Sequence, residues 1–216
     1  MNTSNQDLEP TTRLLFVRHG QTESNAARKY MGQTDSPLTD LGRRQADAVA
    51  RRLSHLPFTA LYSSNLGRTM ATAAAISSTC AHCVTSDPRL REQDLGRFEG
   101  MTADEILAAY PEEYEEHMLR APDTAAHGGE SVAQVRDRAA SFIDEIADRH
   151  SGQTVVIVTH GGVMATILWH LLDIPYEAIK RTRLGNTGLA AFVRKQDQWT
   201  LECWNDTGHL DSLRNG

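Results

Sequence analysis

Four short segments along the chain, three of them apolar runs, are predicted to be β-strands. Residues 14–17 and 154–158 are continuously apolar, which is typical of strands buried on both faces of a sheet. Residues 60–62 form a shorter apolar run, and residues 84–86, Val-Thr-Ser, form another short segment; each is also predicted to be a strand. Because the two continuous runs lack the alternation of a half-exposed sheet, they predict a central sheet that is covered on both faces.

Segments in which apolar residues recur at helical spacing follow these runs. Thr39 and Ser131 are predicted helix N-caps, and Ser131 forms a capping box with Gln134 at the start of a long amphipathic helix. Further helices are predicted from Leu66 and from Val163. The chain therefore repeats the order strand, loop, helix.

This order predicts the α/β class. The last apolar segments, 188–193 and 200–204, alternate in polarity as a hairpin does. We expect a three-layer α/β/α sandwich with a mostly parallel sheet, one antiparallel edge strand and a small helical cap insertion. Ligands of such folds bind at the carboxyl ends of the strands. The order of the strands in the sheet is not predicted.

The chain is predicted to form a single domain over residues 13–216, after a polar tail at residues 1–12 that is expected to be disordered. The helical pattern weakens over about 100–129, where prolines and a Gly-Gly pair interrupt it, and this segment is predicted to be the cap. Its glutamates are expected to form a solvated helix face: Glu112, Glu113, Glu115 and Glu116.

Composition and charge exclude several classes of protein. The 216 residues include 22 Lys plus Arg and 28 Asp plus Glu, for a formal net charge of −6 without long blocks of like charge. A nucleic-acid partner and an anionic membrane surface are therefore not expected. No apolar run approaches the roughly 20 residues of a membrane span. The N-terminus lacks a secretion signal, so we expect a cytoplasmic protein.

The cysteines fit this interpretation. Three cysteines cannot all pair within one chain, which suits a reducing compartment. Cys80 and Cys83 form a Cys-x-x-Cys motif, but no second pair follows it. Redox or zinc chemistry is a weaker interpretation of this motif than two half-buried thiols where a helix meets a strand.

Three loops at the predicted carboxyl ends of strands carry the candidate chemistry. Arg18 and His19 follow the first strand, Arg68 lies just beyond the second, and His160 follows the strand at 154–158. Two imidazoles and two guanidinium groups in a small volume repel one another unless an anion lies between them. Adjacent glycines let the anion approach backbone N–H groups. Phosphate is the anion that fits this set best.

The same residues carry a resemblance to a known family. Residues 18–25, Arg-His-Gly-Gln-Thr-Glu-Ser-Asn, resemble the opening motif of the histidine phosphatase superfamily, also called the phosphoglycerate mutase-like family. Further stretches resemble its later signatures in order: 32–39, 63–68, 90–92 with 96–100, 129–131 and 159–161. The resemblance covers most of the chain and is strongest to broad-specificity and α-ribazole phosphatases.

The resemblance implies a role for each site residue. His19 would be the nucleophile and would carry a phosphohistidine, while Arg18 and Arg68 would hold the phosphoryl oxygens. His160 would donate to the charge that develops in the transition state. Further donors are expected at Asn25 and the Gly161 N–H. Independently of the family, the positive charge of Arg18 disfavours protonation of His19, which keeps a nucleophilic imidazole.

An acid is needed opposite the nucleophile, because the leaving alkoxide is a strong base. Glu92 matches the proton donor of the family, and the same carboxylate would then activate the water that hydrolyses the phosphohistidine. The alternative for Glu92 is a structural carboxylate paired with Arg91 or Arg97. No metal and no cofactor are expected, because metal-ligand and nucleotide-loop motifs are absent and the arginines supply positive charge.

The family contains phosphatases and mutases, and the short stretch from Glu92 to Gly129 resembles the compact phosphatase cap. Hydrolysis of a small phosphorylated metabolite is therefore favoured. A phosphoglycerate mutase is the alternative, and an inactive phosphate-ester-binding protein is less favoured because the whole site set is present. Arg28 and Lys29 are candidate partners for a substrate carboxylate. A homodimer is expected only from the family.

Overall fold

A computed structural model describes residues 10–119, 121–125 and 128–214. Its sheet has the strands β1 (Thr11–Arg18), β2 (Ala60–Ser63), β3 (Val84–Ser86), β4 (Thr154–Thr159), β5 (Leu189–Lys195) and β6 (Gln198–Asp206). The strand order is β3-β2-β4-β1-β5-β6. The first four strands in this order are mutually parallel, whereas β5 runs antiparallel to β1 and β6 antiparallel to β5. The expected antiparallel edge is therefore present and consists of a hairpin.

Helices cover both faces of the sheet. They are α1 (Glu23–Ala26), α2 (Asp40–Leu53), α3 (Gly67–Ser77), α4 (Ala103–Ala109), α5 (Pro111–Leu119), α6 (Val132–Arg149), α7 (Gly161–Leu172), α8 (Tyr176–Ile179) and α9 (Asp211–Arg214). The predicted N-caps are confirmed: the hydroxyl of Thr39 accepts from the Gly42 N–H, and Ser131 forms its capping box with Gln134. The three-layer α/β/α sandwich is thus the architecture of the chain.

The side chains of the two continuous apolar runs belong to two separate hydrophobic cores. In β1, Leu14 and Phe16 pack with α6 and α7 on one face, whereas Leu15 and Val17 pack with α2 and α3 on the other. Alternate residues of β4 divide between the same two clusters. Since successive side chains of a strand point to opposite faces, a strand inside this sandwich must be apolar at every position.

Strand β1 begins earlier than the sequence predicted. Thr11 and Thr12 were assigned to the disordered tail of residues 1–12, but both pair with β5. Thr12 is buried, and its hydroxyl accepts a hydrogen bond of 3.0 Å from the Gly152 N–H. Backbone pairing extends the strand beyond the apolar run that predicted it. The rest of the predicted tail, residues 1–9, lies outside the described residues.

Two short helices, α4 and α5, occupy the segment expected to form the cap. Ile106 of α4 packs with Leu95 and Phe98 in a small apolar cluster of its own. Glu112, Glu115 and Glu116 are exposed, as expected for a solvated face, while Glu113 forms an ion pair with Arg97 at 3.2 Å. The cap is therefore anchored to the loop after Glu92.

The Cys-x-x-Cys motif lies between α3 and β3, where a helix meets a strand as expected. Its two thiols are free. Cys80 is partly buried and donates to the Ile76 carbonyl at 3.3 Å, but Cys83 is exposed, so the expectation of two half-buried thiols is wrong for Cys83. None of the helices in the described ranges is long and apolar enough to cross a membrane.

Candidate active site

The site lies where the carboxyl ends of the parallel strands converge. His19 directly follows β1, and His160 follows β4 and forms the N-cap of α7. Because β1 and β4 are neighbours in register, the two imidazoles lie edge to face with ring centroids 5.2 Å apart. Arg68, in the first turn of α3, reaches the same place from β2. The structure thus brings together the residues that the three loops predicted.

A cavity of 250 Å³ opens above these residues. Its walls include five of the predicted site residues: Arg18, His19, Asn25, Arg68 and Glu92. Its outer wall is formed by Lys29, Tyr30, Met31, Gly32, Gln93, Leu95 and Gly162. His160 is fully buried next to His19 and is not part of the wall, and the wall contains Gly162 instead of Gly161. Arg28 is also outside this lining, so only Lys29 of the predicted pair lines the cavity.

His19 is held in one tautomer. Its Nδ1 lies 2.8 Å from the carbonyl oxygen of Gly20, and a carbonyl only accepts, so Nδ1 carries the proton and Nε2 has a free lone pair. The side chain is 4% exposed. Burial lowers the pKa of His19 well below its ordinary value, and the charges of Arg18 and Arg68 lower the pKa further. The predicted effect of Arg18 is therefore present, but burial is the larger cause.

Asn25 is oriented by two donors. Its Oδ1 accepts from the Thr22 N–H at 3.2 Å and from Nδ2 of Asn186 at 3.1 Å. Asn186 also donates to the His19 carbonyl at 3.1 Å. Since the amide oxygen of Asn25 is engaged, its amide nitrogen is the group left to donate into the cavity. Sequence reasoning missed Asn186, which stands in an irregular segment without a periodic pattern.

Arg68 is held by the loop that follows α1. The residue is 2% exposed and donates to the carbonyls of Gly32 at 2.6 Å and Thr34 at 2.9 Å. It also forms an ion pair of 3.3 Å with Asp35, whose carboxylate accepts from the Gly67 N–H as well. Asp35 was not predicted as a site residue, although it lies within the family-like stretch 32–39.

The guanidinium groups of Arg18 and Arg68 are partly desolvated by burial. Burial lowers the pKa of Arg18 and of Arg68, and in each case the nearby carboxylate of Glu92 raises the pKa in opposition. Nε of Arg18 is buried and has no hydrogen-bond partner within the described part of the chain. A buried cationic donor without a partner costs free energy, so this site favours an anion.

His160 is oriented by Ser64. The Ser64 hydroxyl lies 2.9 Å from Nε2 of His160, within hydrogen-bond distance, and accepts from the Leu66 N–H at 3.4 Å. Nδ1 of His160 is buried and has no hydrogen-bond partner among the described residues. Burial is the largest cause that lowers the pKa of His160 well below its ordinary value. The electrostatic effects of His19 and Arg68 lower this pKa further.

Glu92 faces the cavity and not a structural arginine. Its Oε2 accepts from the Gly162 N–H at 3.1 Å, and its Oε1 accepts from the Gln93 N–H at 3.0 Å. A side chain at position 162 would clash, because a Cβ there would lie 2.4 Å from Oε1. Glycine therefore lets the carboxylate rest against the N-terminus of α7.

The arginines named in the structural alternative for Glu92 are engaged elsewhere. Arg91 donates to Oδ1 of Asn65 at 2.7 Å and to Oε1 of Gln33 at 3.3 Å, and Arg97 pairs with Glu113. The interpretation of Glu92 as a carboxylate paired with either arginine is therefore wrong. Within the described ranges, no three side chains of His, Cys, Asp and Glu lie together as a metal site requires.

Comparison with known proteins defines the class. Residues 14–207 match the histidine phosphatase superfamily (branch 1), and the chain belongs to this family. A probable phosphoglycerate mutase GpmB of Yersinia pestis is 36% identical, with 92% of this chain and 94% of the relative covered. Given this family and the phosphatases among the structures most similar to it, the chain is a phosphomonoesterase.

Two solved structures show the same fold. Bacillus stearothermophilus YhfR superimposes with a TM-score of 0.87 and 34% identity, covering 93% of this chain and 100% of that one. A mycobacterial glucosyl-3-phosphoglycerate phosphatase, Rv2419c, complexed with VO3, gives a TM-score of 0.84 and 32% identity, covering 90% and 99%. The resemblance in sequence motifs therefore extends to the whole architecture.

Proposed function

We propose that this protein hydrolyses small phosphate monoesters without a metal, through a phosphohistidine on His19. The observation that carries the proposal is the fixed tautomer of His19. Its proton is held at Nδ1 by the Gly20 carbonyl, which leaves Nε2 unprotonated, and His19 lines a cavity whose wall also contains two arginines and Glu92. A neutral imidazole beside concentrated positive charge is what attack on a phosphoryl group requires.

In the first step, Nε2 of His19 forms a bond to phosphorus as the bond from phosphorus to the ester oxygen breaks. Glu92 gives its proton to the departing alkoxide. Arg18 and Arg68 balance the charge on the phosphoryl oxygens, and the imidazole of His160 and the amide of Asn25 supply further donors. These donors are already oriented by Ser64 and Asn186.

In the second step, the Glu92 carboxylate takes a proton from a water molecule, whose oxygen attacks the phosphorus of the phosphohistidine. The bond between phosphorus and Nε2 breaks, and inorganic phosphate leaves. His19 returns to its neutral form and Glu92 to its protonated form. One carboxyl group therefore serves both half-reactions.

The outer wall of the cavity favours a small acidic or hydroxylated substrate. A cavity of 250 Å³ holds a phosphoryl group with a few further atoms. Lys29 is exposed and lines the cavity, where an ammonium group suits a carboxylate. The mycobacterial relative is a glucosyl-3-phosphoglycerate phosphatase, which also supports a phosphorylated hydroxy acid as the substrate class.

The experiment measures phosphate release in the presence of a chelator. The panel contains 4-nitrophenyl phosphate, 3-phosphoglycerate, phosphoserine and glucose 6-phosphate. We expect His19→Ala to lower turnover by at least about 10³-fold, because removal of a nucleophile disables the whole site. The exposed His55→Ala serves as the matched control and keeps full activity. Release that survives His19→Ala, or that requires an added divalent metal, contradicts the proposal.

A mutase is the second candidate, and the specific observation in its favour is the name of the Yersinia relative. A mutase returns the phosphoryl group to a bound acid, so it needs a bisphosphate primer and releases little phosphate. Conversion of 3-phosphoglycerate only after addition of 2,3-bisphosphoglycerate identifies the mutase. Phosphate release without a primer identifies the phosphatase.

A further inference from the structure

One arginine of α6 binds the backbone of the loop that carries Glu92. Nη1 of Arg138 donates to the carbonyls of Arg89 at 2.7 Å and Arg91 at 2.6 Å, and Nη2 donates to the carbonyl of Glu92 at 3.0 Å. This loop leaves its 3₁₀ turn at Leu90 and has no regular hydrogen bonding of its own over 91–95. The guanidinium group therefore supplies hydrogen bonds that regular structure supplies elsewhere.

Glu130 binds both Arg138 and the same loop. Arg138 pairs with it through two parallel hydrogen bonds of 2.8 Å, the bidentate geometry that fixes both groups in direction. The same carboxylate accepts from the Asp94 N–H at 3.0 Å and from Nε2 of Gln33 at 3.3 Å. The loop is thus bound at residues before, at and after Glu92.

The Arg138–Glu130 pair does not belong to the cavity. Neither residue is in its wall, whereas Glu92 and Gln93 are. The pair is partly buried, with side chains 18% and 24% exposed. Arg138 contacts Glu92 through the backbone carbonyl of Glu92. A direct role in binding a phosphoryl group is therefore excluded for both side chains by their position.

We infer that Arg138 and Glu130 are positioning residues for the acid–base step. They hold the Glu92 backbone so that its carboxyl group lies against the Gly162 N–H and reaches the ester oxygen. Proton transfer needs heavy atoms within about 2.6–3.2 Å, so a small shift of this loop removes it. The inference rests on the proposed function of Glu92.

The test separates positioning from plain structural support by the chemistry of the leaving group. The values of kcat/KM are measured for 4-nitrophenyl phosphate, whose leaving group needs no acid, and for glycerol 3-phosphate, whose alkoxide needs one. The quantity kcat/KM reports the step in which the leaving group departs. Glu92→Gln is the reference, with an expected loss of about 100-fold on the alkyl ester and less than about tenfold on the aryl ester.

Arg138→Met is expected to reproduce this selectivity, with a loss on the alkyl ester at least about tenfold larger than on the aryl ester. Inhibition by inorganic phosphate stays unchanged, because the anion-binding groups are untouched. Arg138→Lys gives an intermediate selectivity, since an ammonium group keeps the charge but not the forked geometry. If Arg138→Met does not fold, Glu130→Gln is measured instead. Its expected loss of kcat/KM is about threefold larger on the alkyl ester than on the aryl ester.

The matched control is Arg194→Met. Arg194 is 20% exposed and pairs with Asp148 at 2.7 Å, but it lies beside Thr12 at the opposite end of the sheet. The substitution Arg194→Met is expected to lower the melting temperature without changing the ratio of the kcat/KM values for the two substrates. Equal loss on both esters in Arg138→Met and in Glu130→Gln overturns the positioning role. Absence of selectivity in Glu92→Gln itself overturns instead the acid role on which the inference rests.

Discussion

At the scale of single residues, the site depends on two imidazoles kept neutral inside the protein. His19 and His160 are 4% and 0% exposed; the Gly20 carbonyl determines which ring nitrogen of His19 carries the proton, and the Ser64 hydroxyl orients the ring of His160. In both, burial is the main reason that the pKa lies well below its ordinary value. His19, the proposed nucleophile, therefore needs no separate base to deprotonate it.

This burial makes stability depend on pH. The unfolded histidines bind protons below about pH 6.5, whereas the folded ones resist protonation, so acid favours the unfolded chain. For each histidine, the free energy of unfolding falls by up to about 1.4 kcal/mol per pH unit as pH falls below 6.5, until the pKa of the folded state is reached. Above pH 6.5 the contribution is complete. Urea unfolding at pH 7.5 and 5.5 measures this loss.

His160→Asn is expected to show a smaller loss of stability between these pH values than the natural chain. The exposed His55→Asn is the control and leaves the loss unchanged. An unchanged pH dependence in His160→Asn contradicts the neutral, buried state of this imidazole.

The residues predicted from sequence are those whose chemistry is unusual for their place. His19, Arg18 and His160 stand directly after or at the end of apolar strands, where a charged or titratable group is conspicuous. Asn186 and Arg138 act on residues far away in the chain, and nothing local distinguishes them from surface residues. Their roles follow only from the contacts that folding creates.

At the scale of elements, helix starts are the features that sequence predicts best. A capping box uses residues three positions apart, so all of its hydrogen bonds are local. Helix α6 begins this way: Oγ of Ser131 accepts from the Gln134 N–H at 3.1 Å, and Oε1 of Gln134 accepts from the Ser131 N–H at 2.8 Å. The long helix that carries Arg138 therefore has a defined first turn.

Ser131→Ala is expected to lower the free energy of unfolding by about 1 kcal/mol, because it removes the partner of one N–H at the helix start. Ser54→Ala, at the exposed end of α2, is the control, with a change of less than about 0.5 kcal/mol. Urea denaturation at neutral pH measures both. A loss in Ser131→Ala no larger than in Ser54→Ala shows that the cap does not stabilise α6.

At the scale of the whole molecule, the order of the strands was the part that sequence left open. Apolar runs predict which segments are strands but not which strands are neighbours, since pairing depends on crossovers longer than any local pattern. The start of β1 was missed for the same reason, because Thr11 and Thr12 are ordered by pairing with β5 and not by their own hydrophobicity.

A ligand that bridges these distant elements stabilises the entire fold. The groups that surround the cavity come from β1, α1, α3 and the loop of Glu92, so the unfolded chain has no binding site. Inorganic phosphate at 100 times its dissociation constant is expected to stabilise the protein by about 2.7 kcal/mol, or about 5–10 °C in melting temperature. Arg68→Met removes most of this shift. A shift of equal size in Arg68→Met contradicts binding at this cavity.

The central place of β1 has a consequence for synthesis. Its two neighbours, β4 and β5, are made from residues 154–159 and 189–195, long after residues 11–18 have left the ribosome. At 5–20 residues per second, the first strand waits about 10–35 s for both partners. During that interval an apolar segment with two unpaired edges is exposed, so we expect a chaperone that binds extended apolar chain to bind there.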